Sequence, residues 1–202
     1  MIVIVDYGIG NIGSIVNMIK KAGEKAVCSS NHEEIESADK LILSGVGSFD
    51  TGVKNIEDRD LRQILDKKVL KEKIPILGIC LGMQLMTKSS EEGELKGLSW
   101  IDAVTLKFNF KNNGLKIPHM GWNSLDIKNQ DTLFKEMYEE PRFYFVHSYY
   151  VKCNDEKDIL STTNYGIDFV SSFKKDNIMG TQFHPEKSHK FGLKLMKNFV
   201  EM

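Results

Sequence analysis

The chain is organised around residues 74–86, which read IPILGICLGMQLM. The apolar run at the start of this stretch predicts a buried strand, and the apolar segment after Gly82 predicts a helix. Between them lies Gly-x-Cys-x-Gly (residues 78–82), the pattern of a nucleophile elbow, in which the nucleophile sits on a sharp strand-to-helix turn. We expect side chains at Gly78 and Gly82 to collide with neighbouring elements, which explains the choice of glycine.

Cys80 is the predicted nucleophile of this turn. At a helix N-terminus, unpaired N–H groups and the helix dipole favour a thiolate. The N–H of Leu81 is well placed to donate a hydrogen bond to an oxyanion. The alternative is an inert buried thiol, which is the ordinary state of a free cysteine. The combination of strand, two glycines, cysteine and helix favours the nucleophile.

Composition excludes several classes of protein. A length of 202 residues predicts a single domain, 1–202, and a net charge of −1 gives no reason to expect nucleic acid or an anionic membrane as a partner. No apolar run reaches membrane-spanning length, and the first residues lack the basic start of a signal peptide. Three cysteines without a paired motif predict free thiols in a reducing, cytoplasmic setting. The sequence predicts neither a metal site nor a cofactor.

Apolar strand patterns and helical patterns alternate through the first half of the chain. Residues 2–6, 25–28, 41–43 and the Cys80 segment are predicted strands, each followed by a helical pattern. The order β-α-β-α-β-α-β-α predicts an α/β fold with a doubly wound, mostly parallel central sheet. Ligand sites of such sheets lie at the carboxyl ends of the strands.

The second half predicts additional antiparallel or mixed strands. Residues 104–110 alternate between apolar and polar side chains, which predicts a half-buried strand before a turn at 112–114. Residues 143–151 predict one long aromatic strand, and 169–183 predict a hairpin around Asp176-Asn177. Residues 191–200 fit a closing amphipathic helix.

Two glycine-rich loops follow predicted strands. Gly8, Gly10 and Gly13 match the spacing of a dinucleotide-binding loop, but no carboxylate follows at the end of the second strand, which favours a tight turn over a nucleotide site. Gly45 and Gly47 flank one apolar residue, so this loop either presents N–H groups to an anion or is an ordinary turn.

A histidine late in the chain supplies the base that a thiolate nucleophile needs. His184 is followed by Pro185 and Glu186, and the proline favours an extended histidine whose ring converges on the carboxylate. We predict a catalytic triad of Cys80, His184 and Glu186. The remaining histidines are predicted to be structural or at the surface: His119, His147, His32 and His189.

These motifs together resemble the class I, or triad, glutamine amidotransferases, and they run along the whole chain in that family's order. The motifs that carry the resemblance are residues 6–11, 45–47, 78–84, 118–123, 145–149 and 184–188. The resemblance implies glutamine as substrate, a cysteine thioester as intermediate and release of ammonia. It implies that the substrate and its oxyanion are bound by Gly45, Val46, Gly47, Leu81, Gln84, Ser148 and Tyr149.

Residues 118–123, which read PHMGWN, narrow the resemblance to members that form a heterodimer with a (β/α)8-barrel cyclase subunit and pass ammonia to it. An irregular loop is expected over residues 117–123, either folded under the domain or, as we favour, used to contact a partner. The resemblance places Asn11, Met120, Trp122 and Lys187 at the interface with the cyclase. Family members often have proline before Gly-Val-Gly, where this chain has Ser44, so we expect a freer loop.

Three alternatives remain open from the sequence. The same chemistry serves amidotransferases that modify surface-glycan sugars, and residues 87–93 with 97–103 resemble that branch. A γ-glutamyl hydrolase without a partner is the second alternative. The third is a non-enzymatic module that binds a nucleotide at the Gly8–Gly13 loop.

Overall fold

The computed structural model describes residues 1–110, 114–130 and 132–202. Helices and strands alternate through the first half, as predicted, in the order β1 (Ile2–Val5), α1 (Ile12–Lys21), β2 (Ala26–Ser29), α2 (His32–Glu36), β3 (Lys40–Gly45), α3 (Phe49–Asp58), α4 (Leu61–Asp66), β4 (Ile76–Cys80) and α5 (Leu81–Leu85). A π-helical turn at Lys67–Lys71 extends α4.

Strands dominate the second half, which contains β5 (Ala103–Lys107), β6 (His119–Ser124), β7 (Asp126–Ile127), β8 (Arg142–His147), β9 (Tyr149–Cys153), β10 (Ile159–Asn164), β11 (Asp168–Lys175), β12 (Ile178–Thr181) and α6 (His189–Glu201). The predicted hairpin is confirmed as β11 and β12, and the predicted closing helix is confirmed as α6. Asn112 and Asn113 of the predicted turn lie outside the described residues.

The main sheet has the strand order β2-β1-β3-β4-β12-β11-β10-β7, with β9 paired to β11 and β5. The first five strands of this spatial order, β2, β1, β3, β4 and β12, are mutually parallel, whereas the pair β12–β11 and the pairs that follow it are antiparallel. This confirms the predicted α/β fold with a mostly parallel centre and an antiparallel extension. Because β12 lies directly beside β4, with Thr181 opposite Ile79, the segment after β12 emerges next to Cys80.

Two hydrophobic clusters cover the two faces of the sheet. Val3 and Val5 of β1 belong to one cluster, whereas Ile2 and Ile4 belong to the other. Because successive side chains of a strand point to opposite faces, an unbroken apolar strand supplies both layers. Helix α6 packs Leu195 and Phe199 into the second cluster.

The prediction of one strand over residues 143–151 is wrong. The chain breaks at Ser148, so that β8 leaves the main sheet and pairs with β6 in a separate two-stranded sheet. The prediction of an irregular loop at 117–123 is also wrong, because His119–Ser124 forms a strand, β6, with six antiparallel residue pairs to β8. The side chains of β6 alternate in burial, but the buried one is a histidine (His119), whereas the exposed ones include Met120 and Trp122, so hydrophobicity did not reveal the alternation.

The strand predicted at 104–110 is shorter and differs in its buried face. Ala103 and Thr105 point into the core, while Val104 and Leu106 are half-buried. Thr105 is tolerated there because its hydroxyl group hydrogen-bonds the Thr87 hydroxyl at 3.2 Å.

Among the described residues, no helix combines the length and the apolar character that crossing a membrane requires.

Candidate active site

Cys80 occupies the turn between β4 and α5 with φ 53° and ψ −109°, a backbone conformation that non-glycine residues rarely adopt. The flanking glycines make this turn possible. A Cβ atom at Gly82 would lie 1.7 Å from the Leu43 carbonyl oxygen, and one at Gly78 would lie 2.8 Å from the Met83 nitrogen. The predicted collisions are confirmed, and Cys80 is held on a strained, closely packed elbow.

His184 and Glu186 form a buried pair after β12. The ring Nδ1 of His184 lies 2.8 Å from Glu186 Oε1, and both side chains are 2 % exposed. His184 has the extended conformation that Pro185 favours, and its backbone N–H donates to the Tyr144 carbonyl at 2.9 Å. Because a carboxylate only accepts hydrogen bonds, Nδ1 carries a proton and Nε2 remains for the thiol.

The electrostatics of His184 favour its protonated form. Burial alone lowers its pKa, but hydrogen-bonding and charge interactions with Cys80 and Glu186 outweigh burial and raise the pKa to about 10. Nε2 has no hydrogen-bond partner of suitable geometry in the described structure. Because Nδ1 is bound to Glu186, Nε2 is the ring nitrogen that remains to exchange a proton with Cys80, which lies close enough to act on the ring.

Cys80 opens into a cavity of about 330 Å³, which is large enough for a small amino acid. Among the residues predicted as nucleophile or substrate-binding, its walls contain Val46, Gly47, Cys80, Leu81, Gln84, Ser148 and Tyr149. Pro118, Val146 and His147 of the quoted motifs line it as well. Gly45 is not one of the residues that line the cavity, and a Cβ atom there would lie 2.0 Å from the Tyr7 hydroxyl oxygen. Burial, with a smaller contribution from Cys80, raises the pKa of Tyr7.

Sequence reasoning missed Glu92, which also lines the cavity. Its Oε2 accepts a hydrogen bond from the Phe49 N–H at 2.9 Å. Burial raises the pKa of Glu92, the Phe49 N–H lowers it, and nearby Asp50 raises it. Glu92 lies in an irregular segment between α5 and β5, where no periodic pattern marked it.

Gln182 is a second residue that sequence reasoning missed. Its side-chain Nε2 lies 3.7 Å from Cys80 Sγ, and its Oε1 accepts a hydrogen bond from Gln84 Nε2 at 3.0 Å. Its position directly after β12 and two residues before His184 was the signal that could have found it.

The residues expected at a partner interface lie partly together. Met120 and Trp122 of β6 are 62 % and 46 % exposed, and the Trp122 ring stacks on His189 with a centroid distance of 5.3 Å. Trp122 is opposite Tyr144 in the strand pair, and the ammonium group of Lys187 lies 5.6 Å from the Tyr144 ring. Asn11 is exposed just before α1.

The loop at Gly8–Gly13 has the geometry of a tight turn. Gly8 and Gly10 have φ of 88° and 134°, and a Cβ atom at Gly10 would lie 2.8 Å from the Ser44 carbonyl oxygen. The positive φ values explain both glycines without a nucleotide, and the close approach of the Ser44 carbonyl is a second reason for glycine at position 10.

Comparison with known proteins extends these observations. The family model described as glutamine amidotransferase class-I matches residues 3–202. The imidazole glycerol phosphate synthase subunit HisH 2 of Methanococcus maripaludis is 58% identical over 100% of this chain and 99% of the relative. The subunit of the same name from Pseudomonas aeruginosa is 47% identical over 100% of both chains.

Solved structures share the fold at low sequence identity. A crystal structure of a glutamine amidotransferase has a TM-score of 0.77 and 18% identity, covering 98% of this chain and 97% of that one. The glutaminase domain of Trypanosoma brucei CTPS has a TM-score of 0.67 and 16% identity, with 99% and 93% covered. With its family model, its full-length relatives and this fold in agreement, the chain belongs to the class-I glutamine amidotransferase family.

Proposed function

We propose that the chain is the glutaminase subunit of imidazole glycerol phosphate synthase, which hydrolyses glutamine and delivers ammonia to a cyclase subunit in histidine biosynthesis. Relatives of that name align with the chain from end to end. The structural observation that carries the chemistry is a strained cysteine at the wall of a cavity, beside a buried histidine–carboxylate pair. This function implies a cytoplasmic location.

The first half-reaction uses the Cys80 thiolate as nucleophile. The sulfur bonds to the side-chain amide carbon of glutamine, and the carbonyl oxygen becomes an oxyanion. The N–H of Leu81, the first residue of α5, has no acceptor within its helix and donates to this oxyanion together with the Val46–Gly47 loop. Protonated His184 then gives its Nε2 proton to the departing amide nitrogen, which leaves as ammonia.

The second half-reaction hydrolyses the glutamyl thioester. Neutral His184 now removes a proton from water, and the resulting oxygen nucleophile attacks the thioester carbon. Glutamate leaves, and the sulfur returns as a thiolate beside protonated His184. Glu186 holds the ring orientation in both steps through its 2.8 Å contact with Nδ1 and stabilises the positive charge of the imidazolium.

The cavity walls match the charges of glutamine. Among the described residues that line the cavity, Glu92 has the only carboxylate, and it faces a site for the substrate ammonium group. Gln84 holds the Tyr149 backbone carbonyl at 3.2 Å, so the Ser148–Tyr149 wall and α5 form one rigid surface for the substrate side chain. No cofactor or metal enters this mechanism.

The proposed function requires a second subunit, because ammonia loses its nucleophilicity when it is protonated in bulk water and must therefore pass directly to the site that uses it. We place the cyclase, a (β/α)8 barrel, against the surface that contains Met120, Trp122, Lys187 and Asn11. The exposed aromatic and thioether groups of β6 are typical of interface anchors. The two subunits form a heterodimer.

Substitution of the nucleophile tests this function. With the cyclase present, Cys80→Ala is expected to abolish synthesis that depends on glutamine and to leave synthesis from an added ammonium salt intact. Cys28→Ala is the matched control, because Cys28 is an exposed thiol on β2, remote from the cavity lining. Continued use of glutamine by Cys80→Ala would exclude the proposed nucleophile. If the wild-type protein and the cyclase together made no product from glutamine and none from the ammonium salt, the proposed acceptor would be excluded.

A further inference from the structure

A chain of hydrogen bonds runs from β6 to the cavity through two buried histidines. Asn123 Nδ2 lies 3.2 Å from His119 Nε2, and His119 Nδ1 lies 2.9 Å from His147 Nε2. His147 Nδ1 lies 2.7 Å from the Tyr149 backbone carbonyl oxygen. Both histidines are almost fully buried, at 3 % and 6 % exposure. The cavity wall at Tyr149 is therefore tied to β6 by an uninterrupted polar path.

The same path continues from Tyr149 to the nucleophile. Gln84 Nε2 donates to the Tyr149 carbonyl oxygen at 3.2 Å and to Gln182 Oε1 at 3.0 Å. Gln182 Nε2 in turn lies 3.7 Å from Cys80 Sγ, so it donates to the sulfur. The Tyr149 carbonyl is the junction, because it accepts from His147 on one side and from Gln84 on the other.

The groups at the two ends of the path, the Asn123 side-chain amide and the Tyr149 carbonyl, determine which atom donates in each hydrogen bond between them. The side-chain Oδ1 of Asn123 accepts from the Ser124 N–H at 2.8 Å, and its Nδ2 donates to the Asn164 carbonyl at 2.9 Å, which fixes the orientation of the amide. Its second Nδ2 hydrogen therefore points at His119 Nε2, which must be an acceptor.

Both rings are then neutral with the proton on Nδ1. Because His119 Nε2 accepts, its Nδ1 donates to His147 Nε2, and His147 Nδ1 is left to donate to Tyr149. The opposite end gives the same answer independently, since a carbonyl oxygen can only accept. Burial lowers the pKa of His119 to about 4. Burial also lowers the pKa of His147 to about 3, against a smaller raising effect of the Tyr149 carbonyl, so both rings stay neutral.

Aromatic packing prevents the rings from turning. His119 is stacked between Phe145 and Tyr165, with centroid distances of 4.8 Å and 4.1 Å. His147 lies 5.1 Å from the Phe169 ring and 5.3 Å from Phe108. A polar path confined in this way transmits orientation, because no member can find another partner without leaving its neighbour unsatisfied.

We propose that His119 and His147 are positioning residues for glutamine hydrolysis, which hold the Tyr149 carbonyl and, through Gln84 and Gln182, the hydrogen bond to Cys80. The inference rests on the proposed function. It explains why the strand breaks at Ser148: the break turns the Tyr149 carbonyl towards His147 and Gln84 rather than into the sheet.

Two substitutions at one position separate positioning from packing. His147→Phe keeps the ring volume and removes both hydrogen bonds, whereas His147→Asn keeps an amide donor near the Nδ1 position, within reach of Tyr149. In the complex with the cyclase, His147→Phe is expected to lower kcat/KM for glutamine about tenfold, the effect of one lost hydrogen bond to the Tyr149 carbonyl, and His147→Asn to recover most of it. Synthesis from an ammonium salt is expected to be unchanged in both.

His32→Phe is the matched control, because His32 is exposed on α2 and lies outside the cavity lining. A purely structural histidine would lower the free energy of unfolding of the Phe and Asn variants alike, without the difference in kcat/KM between them. Equal kcat/KM values for wild type and His147→Phe, within about twofold, would overturn the inference while leaving the proposed function standing.

Two further measurements do not depend on the proposed function, and the first of them needs no variant. In the wild-type protein near pH 7, nitrogen NMR is expected to show both rings as neutral Nδ1–H tautomers, and an Nε2–H tautomer or a charged ring in either histidine would refute the path. The alkylation rate of Cys80 by iodoacetamide, followed by mass spectrometry, is expected to change at least about threefold in His147→Phe and to recover in His147→Asn. An unchanged rate in His147→Phe would also refute it.

Discussion

Replacing Gly82 by alanine separates the elbow from the strand on which it packs. The new Cβ atom would lie 1.7 Å from the Leu43 carbonyl oxygen, whereas ordinary contact begins at 3.4 Å. That oxygen belongs to the backbone of β3 in the middle of the sheet, so it cannot rotate away, and α5 must move out by about 1.7 Å instead. Overpacking of this kind costs about 3 kcal/mol or more when the obstacle is rigid.

The same displacement moves Cys80 and the Leu81 N–H away from the geometry of the reaction. A misplacement of about 1 Å can cost about a hundredfold in rate. We therefore expect Gly82→Ala to lower kcat/KM for glutamine about a hundredfold and to lower the free energy of unfolding in urea by about 3 kcal/mol. Synthesis from an ammonium salt with the cyclase is expected to persist at temperatures where the variant is folded.

Gly13→Ala is the control for the unfolding measurement. Gly13 lies in α1, its Cβ would meet no atom within 4 Å, and its φ is outside the left-handed region. We expect a change of less than about 1 kcal/mol, towards stability, because alanine favours the helix. A Gly82→Ala protein with wild-type unfolding and wild-type kcat/KM would refute the packing argument.

Three further predictions follow from other parts of the structure. Trp122→Ala, which removes a half-exposed ring stacked on His189, is expected to raise the Kd for the cyclase at least about tenfold while changing the free energy of unfolding by less than about 1 kcal/mol; an unchanged Kd would contradict a docking role. Ser44→Pro, which stiffens the entry to the Gly-Val-Gly loop, is expected to lower glutaminase activity measured without the cyclase, and equal rates would exclude a role for loop freedom. The pKa values of His119 and His147 are about 4 and about 3 in the folded protein and near 6.5 in the unfolded chain. Below pH 6.5 the unfolded chain therefore binds more protons than the folded protein. The free energy of unfolding is expected to fall from pH 6.5 towards pH 4, by roughly 1.4 kcal/mol per histidine per pH unit. Urea unfolding at several pH values is expected to show a shallower loss in His147→Phe than in wild type, and identical slopes would contradict these shifts.

Local patterns were sufficient to predict the elements that surround Cys80. The elbow at Cys80, the hairpin of β11 and β12, and the His184–Glu186 contact all involve residues close in the sequence. Such features depend on backbone conformations that glycine permits and proline restricts, so the residue types themselves report them. The order of the first strands and helices followed from periodicity for the same reason.

Patterns failed where the structure depends on distant partners. The aromatic run at 143–151 looks continuous, but the chain breaks at Ser148, where the Ser148 carbonyl accepts from the Phe108 N–H and the Tyr149 carbonyl accepts from Gln84. Thr105 faces the core because Thr87 is there to bond it. In both cases the bonding partner lies far away in the sequence, so the residues next to Ser148 or Thr105 do not reveal it.

Strand, turn and proline preferences act over a few residues, so local sequence was enough to predict an α/β fold with a cysteine elbow and a late histidine–carboxylate pair. That these groups meet depends on packing between elements far apart in the chain. The insertion of β12 between β4 and β11 brings the end of one strand beside Cys80, and the same packing brings Glu92 and Gln182 to the site. Pairing between strands far apart in the chain depends on how the whole sheet satisfies its backbone and buries both faces, which no short stretch encodes.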